Sequence, residues 1–206
     1  LGVDVNNKFA KLSLASVFLL SGFFQTAFAD SAYVAVSLGK TSGSIDEQGI
    51  QAISGPNISS DTTASSFKVQ LGMMPKRGLG FEVGYIDFGT LSAMETTLGI
   101  IDTYDFDVTG NTIAGIVSVP SGRHSTVYGK IGVVMWESEA TVCLPWLGGC
   151  GASSTDGNDP FFGIGMEYRI AANMGLRAEF ERYDVPVTDA GAGDFNNFSV
   201  SAAYRF

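Results

Sequence analysis

Eight segments of this chain alternate apolar and polar residues with a period of two, and the clearest of them is the last. In DFNNFSVSAAYRF (194–206), Phe198, Val200, Ala202, Tyr204 and Phe206 fall on one face, and Asn197, Ser199, Ser201, Ala203 and Arg205 on the other. A period of two is the mark of a β-strand. The segment ends on an aromatic. Seven upstream segments repeat the alternation with almost no charge on their apolar faces. Strands that are apolar outside and polar inside must close on themselves, and the resulting exterior suits acyl chains rather than water.

The expected strands are Ala32–Gly39, Ser66–Met74, Leu79–Gly89, Phe106–Pro120, Thr126–Trp136, Pro160–Ile170, Leu176–Val185 and the closing segment. Short turns are expected at 75–78, 121–124 and 171–175, where Pro and Gly set the turn dihedrals. Polar stretches at 40–64, 90–105, 137–159 and 186–194 read as four long loops, with Thr109-Gly110-Asn111 a segment that could extend the second. Alternation of long and short connections predicts an all-β fold: an eight-stranded antiparallel up-and-down transmembrane β-barrel, with the short turns toward the periplasm. A membrane strand takes about 9–11 residues, so residues 30–206 hold eight to ten of them with connections. A soluble lipocalin-like barrel would turn polar residues outward.

The N-terminus reads as a secretion signal over residues 1–29. Lys8 and Lys11 form a basic start, residues 12–24 an apolar core, and Ala27-Phe28-Ala29 a small-x-small box, which places cleavage between Ala29 and Asp30. A transmembrane anchor is the other reading of this stretch. Residues 30–206 then form the barrel domain. The formal net charge is −9, which argues against nucleic acid. Further along, no apolar run is long enough for a membrane-spanning helix.

Parity places Lys68, Lys130, Arg169, Arg177 and Arg205 inside, against Glu82, Glu167, Glu179 and Glu181. Such charges must pair, because an unpaired buried one costs several kcal/mol. An eight-stranded bore holds little more than side chains, so a structural plug is expected, with a gated ion path as the alternative. The sequence carries no nucleophile elbow and no metal-ligand cluster, and calls for no cofactor. His124 stands beside Ser125 at an expected turn, without an evident third partner.

Cys143 and Cys150 close CLPWLGGC, and an oxidising compartment favours a disulfide between them. The ring would present Leu144, Pro145, Trp146 and Leu147 either to an extracellular partner or against neighbouring loops. Trp136, Tyr183, Phe195, Tyr204 and Phe206 suit aromatic girdles at the membrane interfaces. Lys76, Arg77, Arg123, Arg169 and Arg205 gather toward the periplasmic end, while acidic residues gather toward the outer loops. Mg²⁺ or Ca²⁺ would bridge those loops to lipopolysaccharide phosphates; a solvated acidic surface is the simpler reading.

The segments LGFEVGYIDFG (79–89), TVYGKIGVVMW (126–136), GIGMEYRIAANMGLRAEFERYDV (163–185) and SAAYRF (201–206) resemble the transmembrane domain of outer membrane protein A and its relatives. The resemblance implies an eight-stranded barrel with a filled interior. It also implies a lumenal charge cluster at Glu82, Lys130, Glu167, Arg177 and Glu179. Tyr204 and Phe206 correspond to the terminal signal read by the barrel-assembly machinery. Ile116 stands where the family prototype carries a lumenal Lys, which removes that Lys as a partner for Glu82. The peptidoglycan-binding domain of full-length relatives is not present in this sequence, so cell-wall tethering is not expected. The function implied is envelope structure and surface contact in the outer membrane by a monomer, with a narrow channel or a lipid-modifying enzyme as alternatives.

Overall fold

The computed structural model describes residues 31–43, 58–61, 63–97, 100–144, 149–185 and 194–206. The expected signal segment and the Ala29–Asp30 junction lie outside these residues, as do 145–148 and most of the first and last expected loops.

The described chain is all β: β1 (Ala32–Gly43), β2 (Ile58–Asp61), β3 (Thr63–Met73), β4 (Gly78–Thr97), β5 (Ile100–Pro120), β6 (Ser125–Leu144), β7 (Gly149–Arg169), β8 (Met174–Asp184) and β9 (Asp194–Arg205). Every pairing is antiparallel. β1 pairs with β3, β3 with β4, and from β4 to β9 each strand pairs with the next in sequence; β9 returns to β1 from Tyr33↔Arg205 to Gly43↔Phe195. β2 continues the line of β3 along β4, so the two form one stave and the sheet closes as an eight-stranded barrel. Closure leaves no strand edge to be solvated in hydrocarbon.

Side chains divide by parity. Leu38, Leu79, Ile131, Phe162, Ile164 and Phe198 are more than half exposed and belong to a continuous outward apolar band. Between them in sequence, Ser37, Lys130, Gly163 and Ser199 are buried.

Glycines on β7 make room inside. The large inward residues of β6 face them directly: Tyr128↔Gly165, Lys130↔Gly163 and Trp136↔Gly157. A Cβ at Gly165 would lie 2.5 Å from the Tyr128 ring, and one at Gly157 would lie 2.6 Å from the Trp136 ring. At Gly89 the β4–β5 register shifts in a bulge, and its φ of 81° favours glycine.

Two expectations need correction. The stretches 90–105 and 137–159, expected as loops, are largely strand. β4 and β5 stay paired to Thr97↔Ile100, and β6 and β7 to Leu144↔Gly149. Thr109-Gly110-Asn111 likewise lies within β5. On β6 the outward apolar run ends at Met135, and the ladder continues past Glu137 for roughly 25 Å at about 3.3 Å per residue. Beyond the buried Ser138, the far part of that extension meets water on both faces: residues 149–156 of β7 are all exposed. The alternation that marks a strand inside the membrane therefore disappears. Cys143 and Cys150 face each other near the end of this hairpin, and Cys150 is disulfide-bonded.

The second correction concerns the aromatics. Trp136, Tyr183 and Phe195 do not belong to an interface girdle; they are buried inside the barrel, 4%, 0% and 1% exposed. Their parity is that of Lys130, Glu181 and Asn197. Tyr204 and Phe206 do face outward, with ring centroids 5.5 Å apart.

Gly165→Ala is expected to lose about 1–3 kcal/mol through overpacking. Gly129→Ala, where an added Cβ meets nothing closer than 3.9 Å, should be nearly neutral. Urea titrations in detergent, read by gel migration, compare the two. Mild reduction is expected to leave the barrel's heat-modifiable migration unchanged while exposing the β6–β7 hairpin end to protease.

Candidate functional site: the charged lumen

Every stave contributes to the interior, and the charged groups meet in its middle. Lys68, Lys130, Arg177 and Arg205 are buried there, as are Glu82, Glu167, Glu179 and Glu181, so four cations face four carboxylates.

Lys130 is the hub. Its Nζ lies 3.0 Å from Glu82 Oε1, 2.9 Å from Glu179 Oε1 and 2.6 Å from Glu181 Oε1. Lys68 Nζ donates to Glu179 Oε2 at 2.9 Å and also to Glu181. Those three carboxylates bring oxygens close enough together to hold a metal ion. The Lys130 ammonium contacts all three and takes the position that a cation would need.

Toward the short-turn end, Glu167 joins two arginines. Arg177 Nε donates to Glu167 Oε2 at 2.8 Å, and Arg205 donates to Oε1 from Nε at 2.9 Å, with Nη2 2.8 Å from the same oxygen. Arg205 also donates to the Met74 carbonyl at 3.0 Å. The Arg177 guanidinium lies 3.7 Å from the centroid of the Tyr33 ring, a cation–π contact strengthened by desolvation.

Neutral donors occupy the remaining lone pairs. Tyr33 donates to Glu82, and Tyr128 to Glu179 at 2.7 Å. Gln70 donates to Glu82 at 3.0 Å and to Glu179 at 3.1 Å. Asn197 donates to Glu181 at 3.3 Å and accepts from Ser66 at 2.6 Å. Buried ion pairs need such additional bonds to offset desolvation.

Above this network, toward the long hairpins, the interior becomes apolar: Ile86, Phe88, Val108, Val134, Trp136, Phe161, Tyr183, Val185 and Phe195 pack together. Phe161 stacks on Tyr183 at 4.8 Å and Phe88 meets Tyr183 edge-on at 4.9 Å. Trp136 Nε1 donates to Asp159 Oδ2 at 2.6 Å.

The cluster inferred from the resemblance comes together: Glu82, Lys130, Glu167, Arg177 and Glu179 are linked through direct contacts, and Lys68, Glu181 and Arg205 join them. Arg169 does not; it is half-exposed and makes no ion pair among the described residues. Ile116 sits opposite Lys130 in the β5–β6 ladder and is buried in an apolar group with Tyr33, Met74 and Tyr128. Lys130 supplies Glu82 with an ammonium from the facing position. Sequence reasoning missed the aromatic layer, although the parity of Phe88, Phe161, Tyr183 and Phe195 marks it. His124 is exposed, its ring centroid 6.3 Å from that of Tyr168.

The sequence matches the outer membrane protein beta-barrel domain family over residues 15–206. The chain belongs to that family, and its place is the bacterial outer membrane. No curated protein matches the sequence. Among solved structures, neisserial surface protein A is similar at a TM-score of 0.59 and 15% identity, over 85% of this chain and 97% of that one. OprG of Pseudomonas aeruginosa matches at 0.52 and 8% identity, over 87% of this chain and 98% of that one. Ail, the attachment invasion locus protein of Yersinia pestis, solved with the heparin analogue sucrose octasulfate, matches at 0.50 and 12%, over 85% of this chain and 99% of that one. At these identities the likeness is one of fold.

Lys130→Met leaves Glu82, Glu179 and Glu181 without their shared counter-charge, and is expected to cost about 3–5 kcal/mol. Adding Glu82→Gln should recover part of that loss. A double-mutant cycle by urea titration in detergent measures both.

Proposed function

We propose that the protein is a plugged barrel whose role is structural and interactive: a rigid stave-closed body that holds two long hairpins out from the cell. The observation that carries the reading is the mutual contact of four buried cations and four buried carboxylates across the bore. A solvated ion passing through would have to separate pairs whose desolvation is already offset and then cross the aromatic layer above them. The narrow-channel reading is the alternative. Planar-bilayer recording separates the two: the plugged reading expects no sustained unitary conductance, and reproducible steps would favour the channel.

The outward faces of the protruding ladders limit what the protein could hold. Asp107 faces Glu139 directly, and Glu137 faces Asp156; all four are exposed. Like charges directly opposite are unfavourable, which supports a basic partner surface, or a divalent cation bridging to lipopolysaccharide. A polyanion such as the heparin analogue bound by Ail fits this face poorly. The Cys143–Cys150 pair would stiffen the end of the hairpin that presents it.

Tyr204 and Phe206 serve as the signal for the barrel-assembly machinery, and the assembled protein is a monomer. Deleting Phe206 should lower outer-membrane insertion in expressing cells, measured by membrane fractionation; unchanged insertion would remove that role. Catalysis at His124 has no supporting geometry among the described residues, and a lipid A mass shift lost on His124→Ala would be needed to establish it.

A further inference from the structure

At the short-turn end, a small pocket opens beside the lumen network, touching it only at Glu167. Its volume is about 50 Å³, and it is lined by Lys76, Pro120, Gly122, Arg123, His124, Ser125, Thr126, Glu167 and Arg169. That exceeds the roughly 10–15 Å³ that one water needs on the same measure. Three permanent cations, Lys76, Arg123 and Arg169, converge on it. The only carboxylate in the lining is Glu167, and both of its oxygens are taken by Arg177 and Arg205. Lys76, Arg123 and Arg169 make no ion pair among the described residues. The pocket is therefore a site of uncompensated positive charge with the Ser125 and Thr126 hydroxyls beside it.

Its position on the barrel narrows the ligand. Thr126 and Glu167 have inward parity, whereas Ser125 shares the outward face with Tyr168, its register partner. The pocket thus sits on the rim, where the apolar band ends. On the outward face of the same β5 and β6, Gly115 and Gly129 leave a groove of about 530 Å³ flanked by Leu79, Val117 and Ile131. A Cβ at Gly115 or Gly129 would meet nothing closer than 3.9 Å, so the groove exists because both side chains are missing.

We propose that the rim pocket binds a phosphate-sized oxyanion, and that its source is the phosphodiester of an anionic phospholipid in the periplasmic leaflet, with one acyl chain in the Gly115/Gly129 groove. Basic pockets at a membrane surface recognise such headgroups, and arginines bind phosphate oxygens in forked pairs. The cations anchor the headgroup, and the groove receives the chain below it.

The test uses isotope-labelled protein in an amine-oxide detergent free of phosphate, with amide shifts followed at Gly122, Ser125 and Thr126, and at Gly115 and Gly129. Inorganic phosphate and phosphatidylglycerol are each titrated in, with diacylglycerol as the phosphate-free control. Saturable shifts at the rim are expected with both phosphates, and phosphatidylglycerol should act at a concentration at least tenfold lower and also shift Gly115 and Gly129. Diacylglycerol should leave the rim unmoved. Arg123→Gln with Arg169→Gln should weaken both responses at least tenfold; if that pair fails to fold, Lys76→Gln with Arg123→Gln, both on exposed turns, gives the same reading. No saturable rim shift, or shifts that survive these substitutions, would overturn the pocket. A response to inorganic phosphate with none to phosphatidylglycerol would overturn the lipid as its source.

Discussion

In hydrocarbon, no backbone group and no charge can rely on water, and this one constraint shapes every level of the structure. The backbone meets it by closure, with β9 returning to β1 so that each of the eight staves has two neighbours. The side chains meet it by parity, which sends carbon outward and charge inward. Charges sent inward then face the same problem on a smaller scale. They meet it by contacting each other: Lys130 bridges three carboxylates, and Glu167 bridges two arginines. Even a glycine follows from the requirement, since the Tyr128 ring occupies the space that a side chain at Gly165 would take.

How much of this is legible in the sequence depends on where a residue sits relative to the bilayer. Between the interfaces the two faces of a strand see opposite solvents, so period two is strong, and Lys68, Glu82, Lys130 and Glu179 can be assigned inward without coordinates. Above the interface both faces see water. The stretch GCGASSTDGND (149–159) then reads as loop, although it is hydrogen-bonded strand. Aromatic residues misled for a different reason. Trp136, Tyr183 and Phe195 lie at or near the ends of the strands expected from the sequence, where interfacial aromatics are common, but position along a strand says nothing about which side a ring takes. Parity does, and it places all three inside. What no pattern reveals is which carboxylate meets which cation, because those contacts cross the bore between strands far apart in sequence, such as Lys68 with Glu179.

The two ends of the barrel differ in charge for reasons that bear on function. Acidic groups stand on the protruding hairpins, directly across from one another at Asp107 and Glu139. Basic groups remain at the short turns, outside the lumen network. Between them the interior is apolar above and ionic below, so the body is stiff while its two surfaces are free to specialise. The contacts proposed above follow that polarity, a basic or cation-bridged partner outside and an anion at the inner rim.

Alternate residues along one strand face acyl chains and an ion-paired interior. Nitroxide labels placed singly at residues 127 to 136 of β6, with collision rates measured for oxygen and for a water-soluble nickel chelate in bilayers, test it most directly. Oxygen accessibility should rise and fall with a period of two, with maxima at 127, 129, 131, 133 and 135 and both reagents excluded at 128, 130 and 134. Nickel accessibility at the odd positions, or the loss of any alternation, would contradict it.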